Sequence, residues 1–209
     1  MALWIKICGV TSVEDALLAA QSGADAVGVN FVASSKRRVE IETGAAIAAA
    51  VAKLVELVAV VADRPLAELE ELRDRTGIRW LQLHGSEGPD LVQEAMPYAY
   101  KAVGIAAPDD VAFARSYPGK RLLADAKVDG ELGGTGRSFD WRLVRELALE
   151  RPVVLAGGLT PDNVAEAVRS VRPFGVDVAS GVESGDPRRK DPDRMKAFVR
   201  AARSGSEAT

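Results

Sequence analysis

The chain has 209 residues, a formal net charge of −3, and 47% hydrophobic side chains of which only a small share are aromatic, so it can bury a sizeable, mainly aliphatic core but offers no positive field for nucleic acid. One cysteine, Cys8, excludes an intramolecular disulfide and a multi-cysteine metal site, and a single histidine, His84, argues against a histidine-based zinc centre. With no N-terminal signal pattern and no long apolar run, the chain reads as soluble and cytoplasmic, with no membrane partner.

Short apolar runs alternate with longer amphipathic stretches. A first strand is expected over residues 3–8, closed by Cys8, with Gly9 turning the chain into a helix. Thr11 or Ser12 caps that helix, Ser12 and Asp15 imitate a capping box, and Gly23 stops it. A strand near 26–31 and a helix near 43–54 follow, then a strand over 57–61 and a helix opened by Pro65. The fourth unit is a strand at 79–83 with a helix near 89–96, and the fifth a strand at 100–103 with a helix from Pro108. The sixth strand, 122–125, leads into a long Gly-rich loop and a helix from Phe139 or Asp140. A seventh strand at 152–156 precedes a helix whose N-cap and first residue are Thr160 and Pro161. The eighth strand spans 174–179, a last helix runs from Pro192 to about Arg203, and 204–209 is expected to be a disordered tail.

Eight strand–helix units without a linker predict one (β/α)8 TIM-barrel domain over 1–203, with a closed eight-stranded parallel sheet. An open doubly wound sheet is the rival, but its G-x-G-x-x-G turn after the first strand is absent. Barrel enzymes carry their chemistry in the loops after the strands. That rule selects Cys8, His84, Asp125 and Asp177, together with Ala156-Gly157-Gly158 and Ala179-Ser180-Gly181-Val182-Glu183 after strands seven and eight. The two small-residue turns suit an anion, because backbone amides approach it closely there. A lone cysteine is often only a small buried apolar group, whereas a carboxylate such as Asp125 on an apolar strand needs a partner or a task.

Taken together, several segments resemble the phosphoribosylanthranilate isomerase family along nearly the whole chain. They are Lys6-Ile7-Cys8-Gly9-Val10-Thr11, Gly23-Ala24-Asp25-Ala26-Val27-Gly28, Ser35-Lys36-Arg37 and Leu81-Gln82-Leu83-His84-Gly85. Asp125-Ala126-Lys127, Gly133-Gly134-Thr135-Gly136, Ala156-Gly157-Gly158-Leu159 and Val176-Asp177-Val178-Ala179-Ser180-Gly181-Val182-Glu183 continue the series. The resemblance implies an Amadori rearrangement of N-(5-phosphoribosyl)anthranilate in tryptophan biosynthesis, without metal or organic cofactor. It implies Asp125 as general acid, Cys8 as general base, and Arg37 as the clamp on the anthranilate carboxylate. It puts Asp177 and His84 near the substrate, and the phosphate on Gly134, Gly136, Gly157, Gly158, Ser180 and Gly181. An acid of this kind must keep its proton near neutral pH, while the thiol's affinity for its proton should fall or at least not rise.

The chain departs from the commoner family pattern at Val29-Asn30-Phe31-Val32-Ala33-Ser34, at Asp63 and at Ala179, which bears on pocket shape. The related histidine-pathway isomerase resembles a pattern with aspartate where Cys8 stands. A non-catalytic phosphosugar-binding barrel would have no need of both Cys8 and Asp125. A monomer and a homodimer are both compatible with the sequence.

Overall fold

A computed structural model describes residues 2–126 and 140–207. Eight parallel strands close on one another in chain order: β1 (Trp4–Val10), β2 (Ala26–Asn30), β3 (Glu56–Val61), β4 (Trp80–Leu83), β5 (Ala99–Ile105), β6 (Leu122–Ala126), β7 (Val153–Leu155) and β8 (Gly175–Val178). The helices are α1 (Val13–Gln21), α2 (Ile41–Val51), α3 (Leu66–Thr76), α4 (Pro89–Glu94), α5 (Pro108–Ala114), α6 (Arg145–Glu150), α7 (Val164–Val171) and α8 (Pro192–Glu207). The architecture is the (β/α)8 barrel that the alternation predicts.

Strands buried on both faces serve two cores. Ile5, Ile7, Val27, Val29, Leu57, Leu81 and Leu155 pack beneath the helices. Val58, Tyr100, Ala102, Leu123, Val154 and Ala156 form a separate cluster inside the barrel, with Trp4, Trp80 and Phe174 packed against it. Branched aliphatics usually fill barrel interiors. Here a polar layer interrupts them: Lys6, Gln82 and Asp177 are buried beside Tyr100. Register makes Lys6 the direct neighbour of Asp177 across β1 and β8, and Gln82 the neighbour of Tyr100 across β4 and β5.

The N-terminal end of the barrel is plugged by Arg121. Its guanidinium lies 4.7 Å from the Trp4 ring, 4.7 Å from Trp80, 5.1 Å from Phe174 and 5.6 Å from Tyr100, and it bonds Glu56 at 2.9 Å. A clasp joins the first and last units. Arg203 on α8 donates to the Leu3 carbonyl and, at 2.7 Å, to Asp25 Oδ2, which also accepts from the Ile5 amide at 2.8 Å.

Several boundaries differ from expectation for local reasons. Cys8 does not close its strand: β1 continues to Val10 after a register shift against β2 between Cys8 and Val10. Ser12 caps α1 by accepting from the Asp15 amide at 3.1 Å, but Asp15 does not complete a capping box; its Oδ2 accepts from the Lys190 amide at 3.1 Å. Thr160 and Pro161 do not begin α7, which starts at Val164. Asn163 folds back instead, accepting from the Thr160 amide at 2.8 Å and donating to the Gly158 carbonyl at 2.9 Å. A 3-10 turn, Trp141–Val144, precedes α6 and is capped by Asp140. The last helix runs on to Glu207 rather than ending at Arg203. Gly205 permits this, since a Cβ there would stand 2.8 Å from the Ala165 carbonyl oxygen of α7.

Candidate active site

The strand ends open into one cavity of about 740 Å³. Cys8, Arg37, His84, Asp125, Asp177, Gly157, Gly158 and Ser180, all expected to take part, line it. Gly134 and Gly136 lie outside the described residues. Gly181 is not among the lining residues. It is buried behind them against the Leu159 carbonyl, so close that a Cβ would collide with that oxygen. Its part is to let the 3-10 turn Ser180–Val182 pack on the turn after β7.

Period-two alternation sends Lys6 and Cys8 of β1 to the same interior face. Gly28 of β2 leaves room for both: a Cβ there would lie 2.8 Å from Cys8 Sγ and 2.8 Å from Lys6 Cε. The Lys6 ammonium, wholly buried, donates to Gln82 Oε1 at 2.8 Å and to Asp177 Oδ1 at 3.0 Å. Tyr100 donates its hydroxyl to the same Gln82 oxygen at 3.0 Å. The Gln82 amide nitrogen meets His84 Nδ1 at 2.9 Å, and His84 Nε2 stands 3.5 Å from Asp125 Oδ2. One polar chain therefore crosses the barrel from Asp177 through Lys6, Gln82 and His84 to Asp125.

Asp125 Oδ1 accepts from the Ala126 amide at 2.8 Å. The turn after β7 folds over it: Gly157 has φ +86°, and a Cβ on it would lie 2.6 Å from the Ala126 nitrogen and 3.0 Å from Asp125 Oδ1. No other residue fits that turn without displacing the carboxylate.

The electrostatics contain one reversal. Burial pushes the Cys8 thiol up from its ordinary range and Asp177 pushes it further, with Lys6 and Lys190 only partly opposing them. A fall, or no rise, was expected. The sign follows from burying a thiol against Val32 and Val60 beside a carboxylate. Burial works against the Lys6 ammonium, but Asp177, Cys8 and Tyr100 outweigh it and hold that proton more firmly than on a free lysine.

At the rim, Arg37 Nε bonds Glu183 Oε1 at 2.6 Å, and the buried Lys190 ammonium bonds the same oxygen at 3.2 Å and the Ala179 carbonyl at 3.0 Å. Among the described residues, neither terminal nitrogen of Arg37 has a partner, so its flat fork is open to a carboxylate. Lys36 and Arg38 are exposed. Asp63, the divergent residue after β3, is not in the cavity wall; its Oδ1 accepts from the Ser86 amide and hydroxyl at 2.7 and 2.6 Å and braces the loop that carries His84.

Lys6, Gln82 and Lys190 were not singled out from the sequence as site residues, and Glu183 stood there only as the end of the turn after strand eight. Lys6 carries the signal that marked Asp125, a charge within a strand covered on both faces. Among the described residues no group of three or more His, Cys, Asp or Glu side chains is placed to hold a metal ion, and no helix is long and apolar enough to cross a membrane.

A family model described as N-(5'-phosphoribosyl)anthranilate (PRA) isomerase matches residues 5–201. The chain belongs to that family. It is 45% identical over 206 residues to an N-(5'-phosphoribosyl)anthranilate isomerase of Pseudomonas fluorescens, covering 97% of each chain. The phosphoribosyl anthranilate isomerase of Thermotoga maritima superposes with a TM-score of 0.87 at 37% identity, covering 96% of this chain and 98% of that one. Another structure of a phosphoribosyl anthranilate isomerase, in complex with reduced 1-(o-carboxyphenylamino)-1-deoxyribulose 5-phosphate, matches with a TM-score of 0.84 at 35% identity, covering 96% and 98%. Membership in this isomerase family makes the chain an enzyme of tryptophan biosynthesis, and the cavity at the strand ends is where its chemistry belongs.

Proposed function

We propose that the chain converts N-(5'-phosphoribosyl)anthranilate to 1-(2-carboxyphenylamino)-1-deoxy-D-ribulose 5-phosphate, with Asp125 as general acid and Cys8 as general base. The observation that carries the reading is that the only cysteine of the chain and the buried Asp125, 117 positions apart in sequence, share one cavity with the small-residue turns after β7 and β8.

In this reading Asp125 gives its proton to the furanose ring oxygen. The bond from that oxygen to C1' breaks, and the nitrogen lone pair forms the C1'=N iminium. The Cys8 thiolate then removes the C2' proton, and the C2'–H electrons become the C1'=C2' bond of an enolamine while the iminium nitrogen recovers its pair. Loss of the C2' hydroxyl proton and protonation at C1' give the ketone. The substrate's own nitrogen is the electron sink, so the steps require no added cofactor. The iminium charge arises only after ring opening, and in a cavity of low dielectric it favours the thiolate at the moment a base is needed. That accommodates a thiol whose proton is held firmly in the empty site.

Arg37 takes the anthranilate carboxylate, and Gly157, Gly158 and Ser180 take the phosphate through backbone amides and a hydroxyl. Gly134 and Gly136 belong to the same assignment. His84 and Asp177 face the reacting end from β4 and β8.

The test is turnover of N-(5'-phosphoribosyl)anthranilate by the wild type, Cys8→Ser and Asp125→Asn. Each variant is expected to lose at least ~10²-fold in kcat with substrate binding largely kept. Full activity in either removes that residue from the mechanism.

A further inference from the structure

One fully buried cation of the barrel is a group that the proton transfers themselves do not use. Lys6 is fully buried, and its Nζ has three protons to donate. Gln82 Oε1 receives one at 2.8 Å and Asp177 Oδ1 another at 3.0 Å. Its carbon chain and the Cys8 sulfur share the space over Gly28, each 2.8 Å from where a Cβ would be. An isolated buried ammonium is costly, and apolar residues would fill a barrel interior more cheaply. The charge therefore stands under the thiol and beside the carboxylate that faces it.

We propose that Lys6 is a positioning residue: its ammonium, clamped between Asp177 and Gln82, supplies the positive charge against which the Cys8 thiolate forms and fixes Asp177 in the cavity wall. The proposal deepens the isomerase reading and rests on its assignment of Cys8 as base. Lys6 is not among the residues that line the cavity. It acts through its two neighbours, one of which, Asp177, resists thiolate formation while Lys6 assists it. The titratable groups facing the thiol are Lys6 on its own strand, Asp177 from β8, Tyr100 from β5 and Lys190 from the segment before α8, with His84 and Asp125 across the cavity and the Arg37–Glu183 pair at its rim. Lys6 holds its proton firmly, whereas burial weakens the hold of Lys190 on its own. Lys190 is already committed to Glu183 and the Ala179 carbonyl.

Because Cys8 is the only cysteine, alkylation by iodoacetamide followed by intact mass reads this one thiol directly. The rate is measured from pH 6 to 10 for the wild type, Lys6→Met, Asp177→Asn and the double variant, alongside kcat and KM. Lys6→Met should alkylate about tenfold more slowly at pH 8, equivalent to roughly one pKa unit in the thiol. Asp177→Asn should alkylate faster, and the double variant should fall between the two. In turnover, Lys6→Met should lose about tenfold or more in kcat with KM within about threefold, and the alkaline limb of its pH profile should move upward.

A Lys6→Met protein that folds and alkylates with the wild-type pH dependence overturns the proposal. So do single variants that shift the thiol in the same direction. If Lys6→Met does not fold, the double variant, which leaves no unpaired buried charge, decides: it must alkylate more slowly than Asp177→Asn, and equal rates refute the role. A wild type that alkylates as expected yet does not turn over N-(5'-phosphoribosyl)anthranilate would refute the isomerase reading instead.

Discussion

Lys6 and Cys8 occupy alternate positions of one strand, and the empty side of Gly28 is what allows both to stand inside the barrel. Gly28→Ala should therefore displace the thiol, since sulfur on so short a side chain has little freedom to retreat. We expect kcat to fall by about tenfold or more with the fold intact, read from steady-state kinetics beside a circular-dichroism melt; unchanged kcat would show that β2 yields instead. The raised thiol has its own consequence for pH. A base whose proton is held above its ordinary value is still mostly protonated at neutral pH, and its active fraction grows as pH rises. The rate of Cys8 alkylation, which reads this thiol alone, should accordingly still be climbing at pH 9. A plateau by neutral pH would mean that the sequence expectation of a lowered thiol, and not the geometry, had the sign right. Cys8, Asp125 and Asp177 were legible in the sequence because polar groups on strands covered by helices are conspicuous. Lys6 obeyed the same rule and was passed over. The direction of the Cys8 shift was not legible at all, since it is set by burial and by Asp177, 169 positions away.

Elements were readable in kind and order, and less so at their ends. Strand starts follow from apolar runs, but the end of β1 depends on a register shift and the start of α7 on Asn163 reaching back to the Gly158 carbonyl. Neither is a propensity. The loop after β4 shows the same dependence on tertiary partners. Lys101 of β5, buried, has four acceptors around its three protons, the carbonyls of Leu83, Gly85 and Ala102 at 3.2, 2.6 and 2.9 Å and Glu87 Oε2 at 3.1 Å. Glu87 in turn accepts from the Gly85 amide at 2.9 Å and the Asp63 amide at 2.8 Å. This cluster anchors the segment leaving His84. Glu87→Ala strands the ammonium without its counter-charge, and should cost about 3 kcal/mol of stability in urea unfolding while also lowering kcat through His84. A loss under about 1 kcal/mol would mean that the three carbonyls suffice for Lys101.

Across the whole molecule, stability and chemistry are assigned to opposite ends of the ring, as the barrel rule expects. The polar chain and the rim serve the cavity, while Arg121 among Trp4, Trp80, Tyr100 and Phe174 serves the base. Arg121→Ala removes a stacked cation and its bond to Glu56 together. At about 0.5–2 kcal/mol for such contacts, a loss near 2–3 kcal/mol and a Tm lower by roughly 5–10 °C are expected, with kcat at 25 °C within about twofold of wild type. A large fall in kcat without a fall in Tm would show the two ends to be coupled. The closed ring was predicted from eight repeats alone, yet the four aromatic rings converging on one arginine come from β1, β4, β5 and the residue before β8, and only closure brings them together.

The clasp of Arg203 on Leu3 and Asp25 makes the numbering of the units arbitrary in a mechanical sense. Linked covalently across that junction and cut instead in a turn at the base, a circularly permuted chain would rebuild the same enclosure with every cavity wall in place.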